Sequence, residues 1–211
     1  MSKKLLSNIQ MALFYGVLLW FGPEGIHRLP NLYILWAIGA IAIIYQPGFS
    51  SLETGPPEDR GTARQILWTI QGVQLLGHFE SVFVRFPESF EWTVLAWGGL
   101  AMAGFGLAVR TWAVVHLGNA FTWHIDPDAA DEVITTGPFA MVRHPSYVGA
   151  FFIYVGAVCF LQAWWTLPCA LVLIPIAFAR RIRFEERALS ERFGSGYAEY
   201  CRQVGAVIPK L

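Results

Sequence analysis

The sequence predicts an all-α integral membrane protein with about six transmembrane helices, or five to six if one segment inserts only halfway. Hydrophobic residues make up 55% of the 211 positions and charged residues only 14%, whereas soluble domains carry about 25% charged residues. The formal net charge is zero, so the chain lacks the basic surface that nucleic-acid binding requires. Apolar segments recur at roughly 6–21, 31–45, 64–84, 92–116, 146–162 and 165–182.

The first two segments are shorter than the roughly 20 residues of a full span, so we expect them to form a tight hairpin. Lys3 and Lys4 precede the first segment, which resembles the start of a signal peptide. No small-residue cleavage site follows Leu19-Trp20-Phe21. We therefore interpret this segment as the first membrane anchor.

The third segment reaches the length of a span but carries polar side chains, at Gln71, Gln74, His78 and Glu80. Polar groups inside a membrane are costly and often line a cavity. His78 and Glu80 can equally mark the edge of the membrane, and the sequence leaves both interpretations open.

The later segments contain signals for helix packing. Small residues at Gly99, Ala103 and Gly106 form a stripe that favours a close approach to another helix. Residues 161–168, between the fifth and sixth segments, contain two tryptophans and a proline. Because tryptophan prefers the membrane interface, we expect the last two segments to form a hairpin.

The basic residues indicate how the chain is oriented. With six spans, only Arg28 and Arg85 lie on one face, and the other face carries Lys3, Lys4, Arg60, Arg64, Arg110, Arg143, Arg180, Arg181, Arg183 and Arg187. The positive-inside rule makes that second face cytoplasmic, together with both termini and the loop 117–145. We expect the inner membrane of a bacterium or an archaeon. Residues 46–63 are rich in glycine, proline and acidic residues and are expected to be an exposed linker.

The stretch 135–149 combines turn-forming residues with a helix start. Gly137-Pro138 marks a turn, and Pro145 suits the first position of a helix because its missing N–H is not needed there. A residue before proline is disfavoured in helical geometry, so His144 is expected at the cap with its ring free to face a ligand. The helix N-terminus would favour a carboxylate or a phosphate.

A second polar cluster follows the sixth segment. Arg181 and Glu185 are four residues apart and therefore share a helix face. They can be the charged end of a span, but Glu185 follows an apolar segment directly, and the other dense polar cluster is Arg143-His144. We expect the two clusters to meet and bind one small charged molecule.

No metal site is predicted. His116, His124 and His144 share no helical spacing and have no cysteine beside them, which argues against zinc. The three cysteines have neither disulfide nor zinc spacing, and we interpret them as buried small hydrophobic residues: Cys159, Cys169 and Cys201.

Two groups of residues resemble the isoprenylcysteine carboxyl methyltransferase family and its phospholipid methyltransferase relatives. The first is Gly137-Pro138-Phe139 followed by Arg143-His144-Pro145-Ser146-Tyr147-Val148-Gly149. The second is Arg181 with Glu185-Glu186-Arg187, then Phe193-Gly194, Tyr197, Tyr200 and Pro209. The resemblance covers about residues 110–211, and the N-terminal segments match only in being apolar.

The resemblance implies a membrane-embedded methyltransferase that uses S-adenosyl-L-methionine. Residues 1–116 would form N-terminal transmembrane helices, and residues 117–211 would add the cytosolic cofactor-binding loop, a helix hairpin and a C-terminal helical tail within one integrated domain. By position, Arg181 would contact the acceptor and Glu185 the cofactor, as the two catalytic residues. The implied cofactor-binding residues are Asp131, Glu132, Val133, Ile134, Phe139, His144, Pro145, Ser146, Tyr147 and Glu185.

The sequence departs from the family pattern at two places. Phe139 stands where the family has a tyrosine, so a hydroxyl hydrogen bond would be missing. A glutamine expected near 124–126 is absent, and either His124 or Asp126 would replace it.

The implied chemistry agrees with the residue types. Methyl transfer from a sulfonium needs alignment and exclusion of water more than acid–base catalysis, and Arg181 can fork onto an acceptor carboxylate. The acceptor would enter from the lipid and be a prenylated thiol-acid, a phospholipid amine or a small thiol. The partners implied are therefore this lipophilic or prenylated substrate and the membrane lipids.

Two other functions are compatible with the same pattern. Membrane sterol reductases, which bind NADPH, look similar in this half of the chain, although the pair Glu185-Glu186 argues against them. The third possibility is a non-catalytic membrane assembly factor that kept the fold.

Overall fold

The computed structural model describes residues 3–45, 59–86 and 89–210. The residues in these three ranges are 77% helical, and no strand occurs among them. Each of the six apolar segments corresponds to one long helix, and a short helix follows in the tail. The helices are α1 (Lys3–Phe21), α2 (Pro30–Tyr45), α3 (Thr62–Phe79), α4 (Val94–Leu117), α5 (Pro145–Phe160), α6 (Thr166–Phe193) and α7 (Ser195–Gln203).

Helix length and composition single out α4 as a membrane span. The stretch Val94–Ala120 is 27 residues long and has a mean hydropathy of 1.4. Three shorter apolar helices accompany it, at Ile9–Phe21, Pro30–Tyr45 and Pro145–Phe160. The all-helical class is therefore confirmed, whereas the number of full spans stays a prediction.

Helices α4 and α5 pack with almost no space between their backbones. A Cβ atom on Gly99 would lie 2.3 Å from the backbone nitrogen of Phe160, and one on Gly106 would lie 2.5 Å from that of Ile153. From α5, a Cβ on Gly156 would lie 2.6 Å from the backbone nitrogen of Ala103. These contacts confirm that the small-residue stripe of the fourth segment packs against another helix, and they make α4 and α5 antiparallel.

The polar residues of α3 fasten this helix to its neighbours. The Gln74 side chain donates to the Tyr154 carbonyl at 3.1 Å, and the buried His78 ring lies 3.1 Å from the Tyr15 hydroxyl. Glu80 begins a π-helical extension that runs to Arg85. Its carboxylate accepts from the backbone N–H of Thr166 at 2.9 Å. For these three side chains the structure therefore supports a role between helices.

Helices α5 and α6 form the expected hairpin, with residues 161–165 between them. Helix α6 runs antiparallel to α3, so Thr166 meets Glu80 at one end and Arg181 meets Asp59 at the other. The turn before α5 lies at the end of the bundle where α4 ends and α5 begins.

Two expectations about burial are wrong. Residues 46–58 lie outside the described part of the chain, but Asp59 and Thr62 are buried and do not belong to an exposed linker. Asp59 tolerates burial because Arg181 neutralises its charge. Among the cysteines, Cys159 is buried but Cys169 is exposed and Cys201 is half-buried, since Cys169 lies on the outward face of α6.

Candidate active site

The turn before α5 forms as the sequence predicts. A 3-10 helix spans Gly137–Ala140, and α5 begins at Pro145 with His144 in the cap position. The His144 ring, however, is not free. It is 4% exposed, and its Nε2 lies 3.1 Å from Glu186 Oε1, because the end of α6 packs directly over the turn.

The C-terminal tail closes over the same turn. The backbone N–H groups of Arg143 and His144 donate to the carbonyls of Gly205 and Ala206 at 2.8 and 2.9 Å. The Tyr200 hydroxyl donates to the Phe139 carbonyl at 2.6 Å, and burial raises the pKa of Tyr200 to about 12. The tail thus fixes the backbone of the turn through several hydrogen bonds.

Arg143 and Glu186 form an ion pair that the sequence did not reveal. The Arg143 Nε donates to Glu186 Oε1 at 3.0 Å, and Nη2 donates to the same oxygen at 2.5 Å. A further nitrogen of Arg143 donates to the Val204 carbonyl at 2.5 Å. The hydrogen bond from His144 lowers the pKa of Glu186 most, Arg143 lowers it further, and burial opposes both. Glu186 is therefore held ionised beneath the turn.

Tyr147 joins the two predicted catalytic residues. The Arg181 Nε donates to the Tyr147 oxygen at 2.7 Å, and the Tyr147 hydroxyl donates to Glu185 Oε2 at 2.7 Å. The other oxygen of Glu185 lies 3.9 Å from His144 Nδ1. The expected meeting of the central turn with the acidic end of α6 is confirmed.

Asp59 completes this cluster from the N-terminal half of the chain. Arg181 Nη1 donates to Asp59 Oδ1 at 2.5 Å and to Thr62 Oγ1 at 3.0 Å, and Nη2 donates to the Trp123 carbonyl at 2.7 Å. Burial by itself would raise the pKa of Asp59, but the charge of Arg181 and the Ala63 N–H outweigh it and lower that pKa. In the sequence, the only local sign of this role was the position of Asp59 just before an apolar helix. An acidic residue is common there because it can cap the helix, so the position alone does not indicate a site.

A cavity lies beside these side chains, and nine of the predicted site residues line it: Glu132, Val133, Ile134, Phe139, His144, Ser146, Tyr147, Arg181 and Glu185. Asp131 and Pro145 do not line it. Asp131 is exposed and Pro145 is buried in the first turn of α5. Both candidates for the missing glutamine, His124 and Asp126, reach the cavity wall.

The tail contributes a further wall residue that the sequence did not single out as a ligand. Tyr197 lines the cavity and is 2% exposed. Within the part of the chain that the structure describes, its hydroxyl has no hydrogen-bond partner. The tail therefore both fixes the turn, through Tyr200, and forms one side of the cavity, through Tyr197.

The cavity carries an excess of negative charge. Three carboxylates line it, at Asp126, Glu132 and Glu185, together with the guanidinium groups of Arg143 and Arg181. Each guanidinium is already paired, one with Glu186 and the other with Asp59. The arrangement therefore favours a small ligand that carries positive charge.

Comparison with known proteins connects this site to a family. Residues 99–191 match the model of the isoprenylcysteine carboxyl methyltransferase (ICMT) family. This part of the chain, slightly less than half of its length, is therefore similar to that methyltransferase family. The matched range contains α5, the turn before it and the Arg181–Glu186 segment, and it ends before Tyr197 and Tyr200.

Relatives with this family name are similar over more of the chain. Protein-S-isoprenylcysteine O-methyltransferase of Schizosaccharomyces pombe is 35% identical over 135 residues, which are 61% of this chain and 56% of that protein. The Tribolium castaneum enzyme of the same name is 27% identical over 188 residues, 85% of this chain and 67% of that protein. The chain spans about two thirds or less of the length of the curated relatives it matches. The matched residues cover 66% of a rice relative, for example.

A solved structure shares the fold. It is that of the eukaryotic intramembrane Ras methyltransferase, an isoprenylcysteine carboxyl methyltransferase, with a TM-score of 0.62, 25% identity, and coverage of 85% of this chain and 67% of that chain. The chain therefore has the membrane fold of this family. These relatives are eukaryotic, so they give no support to a bacterial or archaeal membrane.

Proposed function

We propose that the chain is a membrane-embedded methyltransferase that uses S-adenosyl-L-methionine and acts on a lipophilic acceptor. The observation that carries the proposal is the convergence of His144, Tyr147, Arg181 and Glu185 on one negatively charged cavity. The match of residues 99–191 to a methyltransferase family supports the same function. The proposal includes two predictions from the sequence: that the cofactor-binding part of the domain begins at residue 117, and that the cavity faces the cytosol.

The residues of the cavity fit the charges of the proposed cofactor. S-adenosyl-L-methionine supplies an electrophilic methyl group on a sulfonium, and it also carries an ammonium and a carboxylate. Glu185, which lies at the cavity wall, would hold one of the positive groups. The N-terminal end of α5, behind His144, would favour the carboxylate because helix N-termini carry unpaired N–H groups and a partial positive charge.

The chemical demands on this chain are modest. An acceptor nucleophile attacks the methyl carbon while the carbon–sulfur bond breaks and its electron pair remains on sulfur, so no protein group needs to take that pair. The protein aligns the reactants and excludes water. The tail and the turn, which are hydrogen-bonded to each other, would provide a closed cytosolic side for this purpose.

The names of the similar proteins support one class of acceptor. The names of the matched family and of the similar solved structure specify an isoprenylcysteine carboxyl group, which favours a prenylated carboxylate over a phospholipid amine or a small thiol. Such an acceptor would enter from the lipid, past the exposed apolar faces of the helices. The contact of Arg181 with the acceptor carboxylate stays a prediction, since in the structure its donors already meet Asp59, the Trp123 carbonyl and Tyr147.

The charge of the cavity also separates the proposal from its rivals. NADPH carries several phosphate charges, and a cavity whose two guanidinium groups are already paired would repel it. A non-catalytic assembly factor would not need a buried hydrogen-bond network that connects α3, α5 and α6 to a cavity.

Binding of labelled S-adenosyl-L-methionine to the detergent-purified protein tests the proposal. We expect the wild-type chain to bind it and Glu185→Ala to lose at least about tenfold in affinity, because a charged hydrogen-bond acceptor is removed. Glu199→Ala is the matched control, since Glu199 is an exposed acidic residue of α7 and its removal should leave the affinity unchanged.

The outcomes distinguish the three functions. Binding of NADPH in place of S-adenosyl-L-methionine would assign the chain to the reductases. Binding of neither molecule would favour the assembly factor. Transfer of the labelled methyl group to a farnesylated cysteine peptide, and not to phospholipid or to a small thiol, would establish the acceptor class.

A further inference from the structure

Asp59 is a buried carboxylate that lies outside the matched family region. It is 1% exposed, and its Oδ1 accepts from Arg181 and from the Thr62 hydroxyl. Its Oδ2 accepts from the Ala63 N–H at 3.3 Å. Asp59 is thus tied at once to the start of α3 and to the middle of α6.

The loop that lines the cavity meets the same carboxylate. The Ile125 N–H lies 3.4 Å from Asp59 Oδ1, and the His124 ring lies 3.7 Å from Asp59 Oδ2. Arg181 reaches this loop as well, through the Trp123 carbonyl. The ion pair of Asp59 with Arg181 therefore holds α3, α6 and the loop in one arrangement.

A continuous row of hydrogen bonds leads from Asp59 to the cavity. Asp59 and Thr62 hold one nitrogen of Arg181, which leaves the Arg181 Nε to donate to the Tyr147 oxygen. Because that oxygen is occupied as an acceptor, the Tyr147 hydroxyl hydrogen is directed at Glu185. The orientation of the Glu185 carboxylate thus depends on a residue that does not itself line the cavity.

We infer that Asp59 is a positioning residue for the cofactor site, acting through Arg181 and Tyr147 on Glu185. The inference rests on the proposed function, because it takes Glu185 as the cofactor-binding carboxylate. It assigns to the N-terminal half of the chain a direct share in the site. It also gives Arg181 a role in cofactor binding, where the sequence had suggested only contact with the acceptor.

Affinity for S-adenosyl-L-methionine, measured by calorimetry on the detergent-purified full chain, tests the inference. We expect Asp59→Asn to weaken binding by about tenfold, the usual scale for loss of a charged hydrogen bond. Glu80→Gln is the matched control. It neutralises another buried carboxylate of the α3 region, so it should lower the melting temperature and change the dissociation constant by less than about twofold.

A double-mutant cycle separates positioning from general destabilisation. Tyr147→Phe removes the hydroxyl that links Arg181 to Glu185, so Asp59→Asn should have almost no further effect on affinity in the Tyr147→Phe background. Equal losses in both backgrounds would show that Asp59 only supports the fold. Unchanged binding by Asp59→Asn in the wild-type background would overturn the inference as well.

A milder variant keeps the test valid if Asp59→Asn does not fold, since a buried cation without its partner is strongly destabilising. Thr62→Val keeps the Asp59 charge but removes a hydroxyl that accepts from Arg181. We expect it to weaken binding by about threefold, and only when Tyr147 is present. Failure of the wild-type chain to bind S-adenosyl-L-methionine would instead refute the proposed function itself.

Discussion

Helices α3 and α6 meet at two buried carboxylates, and the two ends of the pair use them differently. At one end Glu80 accepts from the backbone N–H groups of Trp165 and Thr166 and from the Thr166 hydroxyl. At the other end Asp59 accepts from Arg181, whose other nitrogens extend the network to the cavity. Thr166 and Arg181 are separated by roughly 22 Å along α6 at 1.5 Å per residue.

The difference between the two ends lies in the donors. Glu80 accepts from the backbone N–H groups of Trp165 and Thr166, with the Thr166 hydroxyl and Arg85 as further donors. None of these donors lines the cavity, so Glu80 fixes the start of α6. Asp59 is held by a side chain that also serves Tyr147, so a change at Asp59 can be transmitted to Glu185. A buried carboxylate thus stabilises the fold at one end and organises a site at the other.

Removing the carboxylate at the structural end should have the largest effect on stability. Glu80→Ala removes the acceptor of the two buried donors of Thr166 and of the Trp165 N–H, and we expect a loss of about 3 kcal/mol in the free energy of unfolding. Thermal unfolding in detergent measures it. Affinity for S-adenosyl-L-methionine at a temperature where the variant is folded should stay unchanged, and a parallel loss of affinity would show that the two ends are coupled.

The stability of the site end should depend on pH. Because the pKa of Glu186 is lowered in the folded state, its contribution is fully present above the ordinary carboxyl pKa of about 4.3 and is lost as the pH falls through the lowered value. Glu186→Gln should therefore reduce stability at pH 7 by about 2 kcal/mol and flatten the loss of stability below about pH 5.

Chemical denaturation of both proteins across that pH range measures this effect. The control is Glu199→Gln, which changes an exposed carboxylate of α7. An unchanged acid dependence in Glu186→Gln would mean that another group of the site end controls acid unfolding.

The smallest expected effect distinguishes two tyrosines of the tail. Tyr200→Phe removes the hydrogen bond to the Phe139 carbonyl and should cost about 1 kcal/mol. Tyr197→Phe removes a buried hydroxyl that has no partner among the described residues, so it should leave stability unchanged or raise it slightly. Melting temperatures of the two variants, compared with wild type, give the answer, and equal losses would contradict the assignment of these hydroxyls.

Much of the local structure could be predicted from the chain. The glycines of the fourth segment predicted a close helix–helix contact, because small residues at helical spacing let two helix backbones approach each other. The proline at 145 predicted where α5 begins. Arg181 and Glu185 could be placed on one face because α6 has 3.6 residues per turn.

The contacts that assemble the site were harder to predict. Asp59 lies 122 residues from Arg181 in a stretch whose composition suggested a linker. The sequence did not predict the pairing of Arg143 with Glu186 either. Glu185 lies directly beside Glu186, and the sequence alone does not show which of the two carboxylates faces Arg143. His144 was expected to be free, and it is instead hydrogen-bonded to Glu186.

The sequence by itself determined the helical class, the helix starts and the faces that carry polar groups, because these follow from side-chain chemistry repeated at fixed local spacing. Only the tertiary structure decided which charges are paired and which remain at the cavity wall. Buried ion pairs join residues that are distant in the chain, and each carboxylate takes whichever cation the packing of the helices brings within reach.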